Sequence, residues 1–263
     1  MLVETRVGRL FVERRGEGAP LVLWPSLLTE GSMWRAVAPA LSERFTTLTI
    51  DPPGHGRSGP VRRAFSLEDC ADAAREVLDA LSIERASWAG LSFGGMTGMR
   101  FALRHPGRLD RLALLDTSAD REPRRKLPSY AVMSAVARRI GAIGPLVDRI
   151  EPLFFTKETR QRRRDLVEPF REQLVRMDPE SIGHAVDAVI FRRADIRPQL
   201  GSIRAPTLVL VGDEDVATPP SCALDIADRI AGSRLIEIGG AAHLSPLERP
   251  RAVGRALLEH LDP

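Results

Sequence analysis

Cysteine is scarce in this 263-residue chain, where Cys70 and Cys222 stand far apart in amphipathic stretches. Two such thiols exclude a disulfide scaffold and a thiolate metal cluster, and both are expected in the core. Lysine is nearly missing too: of 38 basic residues only Lys126 and Lys157 are lysines, an arginine excess that reads as coding bias rather than function. No apolar run reaches the roughly 18 residues that a membrane helix needs. The opening MLVETRVGRLFVERRGEG lacks the basic-then-apolar order of a secretory signal, so the expected location is the cytoplasm. Charge of one sign is lacking as well, since 35 acidic residues leave a formal net +3, too dispersed for a nucleic-acid surface. With no Gly-rich phosphate loop, no His-x-x-x-His pair and no clustered ligands, neither a cofactor nor a metal is expected.

What is present is a globular chain with 43% hydrophobic residues, enough for the core of one large domain. Alternating apolar segments predict an antiparallel start over 3–7 and 10–13, followed by a buried strand over 21–24. The chain then alternates. Helices are expected over 32–43, over 67–81 and after Ser92, with strands over 46–50, 86–89 and 112–115, which together predict an α/β fold with a mostly parallel sheet. The alternation stops after Asp116 and resumes with a strand over 207–211, a helix over 220–230, a strand over 235–238 and a helix over 249–261. Between them, 121–204 carries helical patterns over 130–140 and 158–176 that prolines, Pro169 among them, are expected to break. This division predicts a core of residues 1–120 and 205–263 and a helical cap of residues 121–204. The cap holds 18 basic and 11 acidic residues, a net +7, and the rest a net −4.

The segment Gly90-Leu91-Ser92-Phe93-Gly94 falls between a predicted strand and a predicted helix. A serine at such a turn is held in a strained conformation with its hydroxyl exposed, and the residues two before and two after must be tiny. The hydroxyl needs a base, and the base an orienting acid. Of five histidines, His243 alone follows the last predicted strand in a loop of small residues, Gly239-Gly240-Ala241-Ala242. The acid is expected where the strand over 207–211 ends, at Gly212-Asp213-Glu214-Asp215. Asp215 is preferred there, with Asp213 and Glu214 as solvated turn residues and Asp116 as the fallback.

These residues, together with Asp51-Pro52-Pro53-Gly54-His55-Gly56-Arg57-Ser58, Arg104-His105-Pro106 and Ala242-His243-Leu244-Ser245, resemble the α/β-hydrolases along essentially the full length, and within them the 3-oxoadipate enol-lactonase group and its esterase relatives. The resemblance implies an eight-stranded, mostly parallel sheet with helices on both faces and an inserted helical cap. It implies Ser92 as nucleophile, Asp215 as acid and His243 as base, with the backbone N–H groups of Phe93 and Leu27 as the oxyanion hole. Pro25-Ser26 replaces the His-Gly that most relatives carry before the first of those donors. The loop around His55 reads as a structural turn, and Met96, Met99 and Phe101 as packing for the helix after Ser92.

The expected reaction is hydrolysis of a small to medium ester or lactone. The alternatives are C–C bond hydrolysis, perhydrolysis or acyl transfer on the same triad, and a non-catalytic ligand-binding homologue. Tyr130, Phe154, Phe155, Phe170 and Phe191 are candidates for the pocket. Arg124, Arg125, Arg138 or Arg139 would meet a substrate carboxylate if the substrate is anionic. A small molecule is the expected partner, without nucleic acid or membrane, and the oligomeric state is open.

Overall fold

Side chains along a β-strand alternate between its two faces, so a strand buried on both must be apolar throughout. The run Leu21–Trp24 meets that condition, while the strand Phe45–Ile50 buries three threonines among its apolar residues. In the computed structural model, which describes residues 1–262, eight strands form one sheet: β1 (Leu2–Thr5), β2 (Gly8–Arg15), β3 (Ala19–Trp24), β4 (Phe45–Ile50), β5 (Ala86–Leu91), β6 (Leu109–Leu115), β7 (Thr207–Gly212) and β8 (Arg234–Ile238). Their spatial order is β1-β2-β4-β3-β5-β6-β7-β8. The β1–β2 and β2–β4 pairings are antiparallel and the other five parallel. On β3, Leu21 and Leu23 enter one hydrophobic cluster while Val22 and Trp24 enter the other, so a core builds on each face of the sheet.

Helices cover both faces. On the Val22 side are α2 (Leu67–Ala80), α3 (Phe93–Arg104) and α9 (Pro220–Arg229), and on the other are α1 (Ala38–Ser42) and α11 (Pro250–Leu261). Helix α2 starts at a reciprocal cap, in which the Ser66 hydroxyl accepts from Asp69 N and the Asp69 carboxylate from Ser66 N. The single helix expected over 32–43 is instead a 3₁₀ turn (Gly31–Trp34) followed by α1, because Pro39 suits only a first turn and restarts the helix there. The last helix, expected over 249–261, is α11, and a separate short helix, α10 (Ser245–Glu248), precedes it. Cys70 is buried as expected, whereas Cys222 on α9 is only half-buried.

Between β6 and β7 lie α4 (Leu127–Ile140), α5 (Gly144–Ile150), α6 (Lys157–Arg162), α7 (Arg164–Arg176) and α8 (Pro179–Val186). Pro169 does not break its helix but sits inside α7. A mid-helix proline costs about 3 kcal/mol, and α7 buries Leu166, Val167, Phe170 and Leu174, each contributing roughly 1.5–3 kcal/mol. Burial outweighs the missing hydrogen bond. The break falls at Arg163 instead, where φ −120° and ψ 60° part α6 from α7. Side chains of α5 and α7 join the same cluster as Leu21 and Leu23, so this helical segment shares its core with the sheet.

Candidate active site

The turn from β5 into α3 puts Ser92 at φ 52° and ψ −108°, outside the regions that side chains ordinarily allow. Backbone pressed close on both sides fixes it there. A Cβ on Gly90 would come within 2.2 Å of Gly94 O, and a Cβ on Gly94 within 2.1 Å of Trp24 O. Gly94 N donates to Pro25 O at 3.1 Å, and Thr117 Oγ1 donates to Ser92 O at 2.7 Å. Behind the turn Trp88 Nε1 donates to Gly94 O, and the ring stacks between Trp24 and Phe101. Ser92 itself is 5% exposed and lines a cavity, and its hydroxyl has no hydrogen-bond partner among the described residues.

The loop after β8 brings His243 to the same cavity wall. Its Nδ1 is 2.8 Å from Asp215 Oδ2, which leaves Nε2 as the nitrogen without a partner among the described residues. Asp215, in the turn after β7, is tightly held: Oδ1 accepts from Ala217 N and Thr218 N, and Oδ2 also accepts from Thr218 Oγ1 at 2.8 Å. Burial alone would push the imidazole down. The Asp215 carboxylate beside it outweighs that effect, and His243 titrates above its ordinary 6.5.

The competing carboxylates are engaged elsewhere. Asp213 is exposed and accepts from Gly240 N, and Glu214 is exposed. Asp116, at φ 45° after β6, accepts from Gly212 N at 2.7 Å and faces Ser245 Oγ at 2.5 Å. Complete burial, with Asp215 nearby, pushes the Asp116 carboxyl up to about 8.

The loop after β3 also lines the cavity, through Ser26, Leu27 and Leu28. Among the described residues, neither Leu27 N–H nor Phe93 N–H donates to another group of the chain. Phe93 is the first residue of α3, where four N–H groups lack helical acceptors and the helix dipole is positive. The Leu27 loop is pinned at its next residue: Leu28, at φ 62°, donates its N–H to His55 Nε2 at 3.2 Å, while His55 Nδ1 donates to Pro53 O. Burial holds this imidazole down at about 4, so it stays neutral and can accept. His55 therefore braces a turn and does not line the cavity. Asp51 fastens the same turn by accepting from Gly31 N and Arg57 N.

The cavity encloses about 1090 Å³ of empty space, its open mouth included, and its wall is mainly apolar. Of the five candidate aromatics, Tyr130 and Phe154 line it; Phe155, Phe170 and Phe191 do not. The Phe154 ring also stands edge-on to His243, with centroids 5.4 Å apart. Met96 lines the cavity, whereas Met99 and Phe101 pack behind it. None of Arg124, Arg125, Arg138 and Arg139 reaches the wall, and Arg138 is held by Gly183 O and Asp187. The only basic lining side chain among the described residues besides His243 is Arg193, whose guanidinium is tied to Glu122 at 3.0 Å. The basic excess of 121–204 thus gives the cavity wall no unengaged cation.

Two residues of the site escaped sequence reading. Thr218, three residues after Asp215, could have been found as a turn hydroxyl returning to an aspartate. Glu248 is 3% exposed and accepts from Ala242 N at 2.7 Å and Thr156 N at 2.9 Å, joining the His243 loop to the helical segment. No local pattern marks that role. No group of three or more metal-ligating side chains occurs among the described residues, and no helix among them is long and apolar enough to cross a membrane.

A strained serine after a central strand and a histidine–aspartate pair beyond the last two strands define a class of proteins. The alpha/beta hydrolase fold model matches residues 19–250, and the chain belongs to that family. It is similar to 3-oxoadipate enol-lactonase 2 of Acinetobacter baylyi, at 27% identity over 90% of this chain and 86% of the relative. It is 30% identical to the pimeloyl-acyl-carrier-protein methyl ester esterase of Chromobacterium violaceum, over 96% of this chain and 98% of that one. Among solved structures, the enol-lactonase from Burkholderia xenovorans superposes with a TM-score of 0.93 at 31% identity, over 100% of both chains. The protein is thus an α/β-hydrolase whose named relatives act on ester bonds, lactones included.

Proposed function

We propose that the protein hydrolyses carboxylic esters or lactones of small to medium size, with Ser92, His243 and Asp215 as a catalytic triad. The observation that carries this reading is the pairing of His243 Nδ1 with a buried, fully hydrogen-bonded Asp215 on a wall shared with an unpartnered Ser92 hydroxyl. An imidazole held through Nδ1 presents Nε2 as a base. Ser92 attacks the carbonyl carbon, His243 takes the hydroxyl proton, and the N–H groups of Leu27 and Phe93 hold the developing oxyanion. His243 then protonates the leaving alcohol as the C–O bond breaks, and an acyl-enzyme remains. A water activated by His243 releases the acid, and for a lactone the alcohol stays attached, giving one ring-opened product.

Residues 121–204 act in this reading as the cap that encloses the acyl group. Their apolar wall favours a largely apolar substrate over an anionic one. A panel of p-nitrophenyl esters and small lactones tests the reaction. Turnover should appear with part of the panel and fall at least about a thousandfold in Ser92→Ala. Hydrolysis that survives the substitution would refute the triad, and a wild type idle on esters and lactones but active on vinylogous diketones would move the reaction to C–C cleavage.

A further inference from the structure

A left-handed backbone is costly for any residue with a side chain beyond glycine, so it persists only where its surroundings impose it. Leu28 holds φ 62° in the loop after β3. The chain turns there: Thr29 N donates to Ser26 O at 3.2 Å and Thr29 Oγ1 to the same oxygen at 2.9 Å, a β-turn with Leu27 and Leu28 at its centre. Both polar groups of Leu28 are engaged from outside the turn. Its N–H donates to His55 Nε2 at 3.2 Å, and its carbonyl accepts from Gln173 Nε2, also at 3.2 Å. Among the described residues no other donor meets that carbonyl. Gln173 is a half-buried residue of α7, next to Leu174 in the cavity wall.

Resting on the hydrolase reading above, we infer that Gln173 is a positioning residue that aims the Leu27 N–H into the oxyanion hole. A trans peptide points its C=O and its N–H in opposite directions. The Leu28–Thr29 peptide therefore takes the Gln173 hydrogen bond on its oxygen and passes one on from Thr29 N–H to Ser26 O. The Ser26–Leu27 peptide, held by its oxygen, sends Leu27 N–H the other way, where no group among the described residues receives it. The three amides form one chain. Each hydrogen bond polarises the next, so the Gln173 donor strengthens the last N–H as well as orienting it.

The end of that chain lies beside the nucleophile. Gly94 N donates to Pro25 O at 3.1 Å, which ties the loop to the turn carrying Ser92, and Ser26, Leu27 and Ser92 line one cavity. The start lies in the helical segment, so α7 has two roles: Leu174 walls the cavity, and Gln173 secures a donor carried by the β3 loop. Every ester or lactone places the same developing charge at that donor, whatever its acyl chain. The contribution of Gln173 therefore belongs to the reaction and not to the choice of substrate.

Gln173→Met keeps the length and helix preference of the side chain and removes its N–H donors. With p-nitrophenyl acetate, butyrate and hexanoate, kcat should fall roughly tenfold to a hundredfold, by the same factor for all three, since a donor is misaimed rather than deleted. Acylation and deacylation both pass through the oxyanion, so KM should stay within about twofold. A side chain that only packed the cavity would change KM, or change kcat by a factor that varies with acyl length. Either result overturns the inference, as does an unchanged kcat. Gln173→Glu sets a carboxylate against Leu28 O in place of a donor and should lose at least as much; if Gln173→Met does not fold, Gln173→Glu decides by the same readings. Fluorophosphonate labelling of Ser92 in the wild type separates this from the hydrolase reading: labelling with no kcat loss in the variants defeats only the role of Gln173, and no labelling defeats the triad.

Discussion

His243 and His55 are both buried imidazoles, and their surroundings give them opposite tasks. The Asp215 carboxylate raises His243 above its ordinary 6.5 against the effect of burial, and only the neutral ring can take the Ser92 proton. Activity should therefore rise with pH, with the half-maximal kcat/KM above pH 6.5, and Asp215→Asn should lower the rate by about 10⁴-fold; a profile centred below 6.5 would refute the pairing. His55 has no carboxylate partner within hydrogen-bonding distance, and burial takes it down to about 4. Its folded form binds a proton less readily than its unfolded form, so its contribution weakens stability as pH falls from about 6.5 towards 4. His55→Phe keeps a ring but leaves Leu28 N–H without its acceptor. We expect a loss of about 1–3 kcal/mol in urea unfolding and a drop in kcat larger than any change in KM, since the loop displaced is the one bearing Leu27.

At the scale of elements, the site is where four strand ends deliver their loops: after β3 the Leu27 loop, after β5 Ser92, after β7 Asp215 and after β8 His243. Glu248 at the end of α10 ties the His243 loop to Thr156 at the start of α6. A glutamine offers one carbonyl oxygen where the carboxylate offers two. Glu248→Gln should thus cost about 1–3 kcal/mol and speed amide exchange at Ala242 and Thr156 together; exchange changed at only one of them would contradict a shared anchor. The strand ends were legible because buried parallel strands are apolar runs, and Gly90, Gly94 and the histidine loop carry their constraint in residue size. The helical segment was less legible. The outcome at Pro169 depended on how much of α7 is buried, and Met96 and Glu122 became wall residues only through tertiary packing. Periodicity does not contain that information.

For the whole molecule, the two halves of the charge distribution do not meet in the cavity. Half of the arginines of 121–204 pair with nearby acids, as Arg171 does with Asp148 and Glu151 and Arg163 with Asp165, and the cavity wall itself carries one ion pair, Glu122–Arg193. A pH signature of the whole fold comes from Asp116, which joins β6, β7 and α10. Pushed up to about 8 by burial from 3.8, it keeps its proton when folded and loses it when unfolded. The stability it supports is present below pH 3.8 and lost as pH rises to about 8. Asp116→Asn keeps an acceptor for Gly212 N and supplies a donor to Ser245, so its melting temperature should decline less than that of the wild type between pH 5 and 9; parallel curves would show an ionised Asp116. The central claim, a serine nucleophile primed by His243 and Asp215, is tested most directly by mapping a fluorophosphonate adduct by peptide mass spectrometry. One adduct on Ser92, formed at neutral pH and strongly slowed in His243→Ala, is the predicted result; no adduct, or one on another serine, would contradict it.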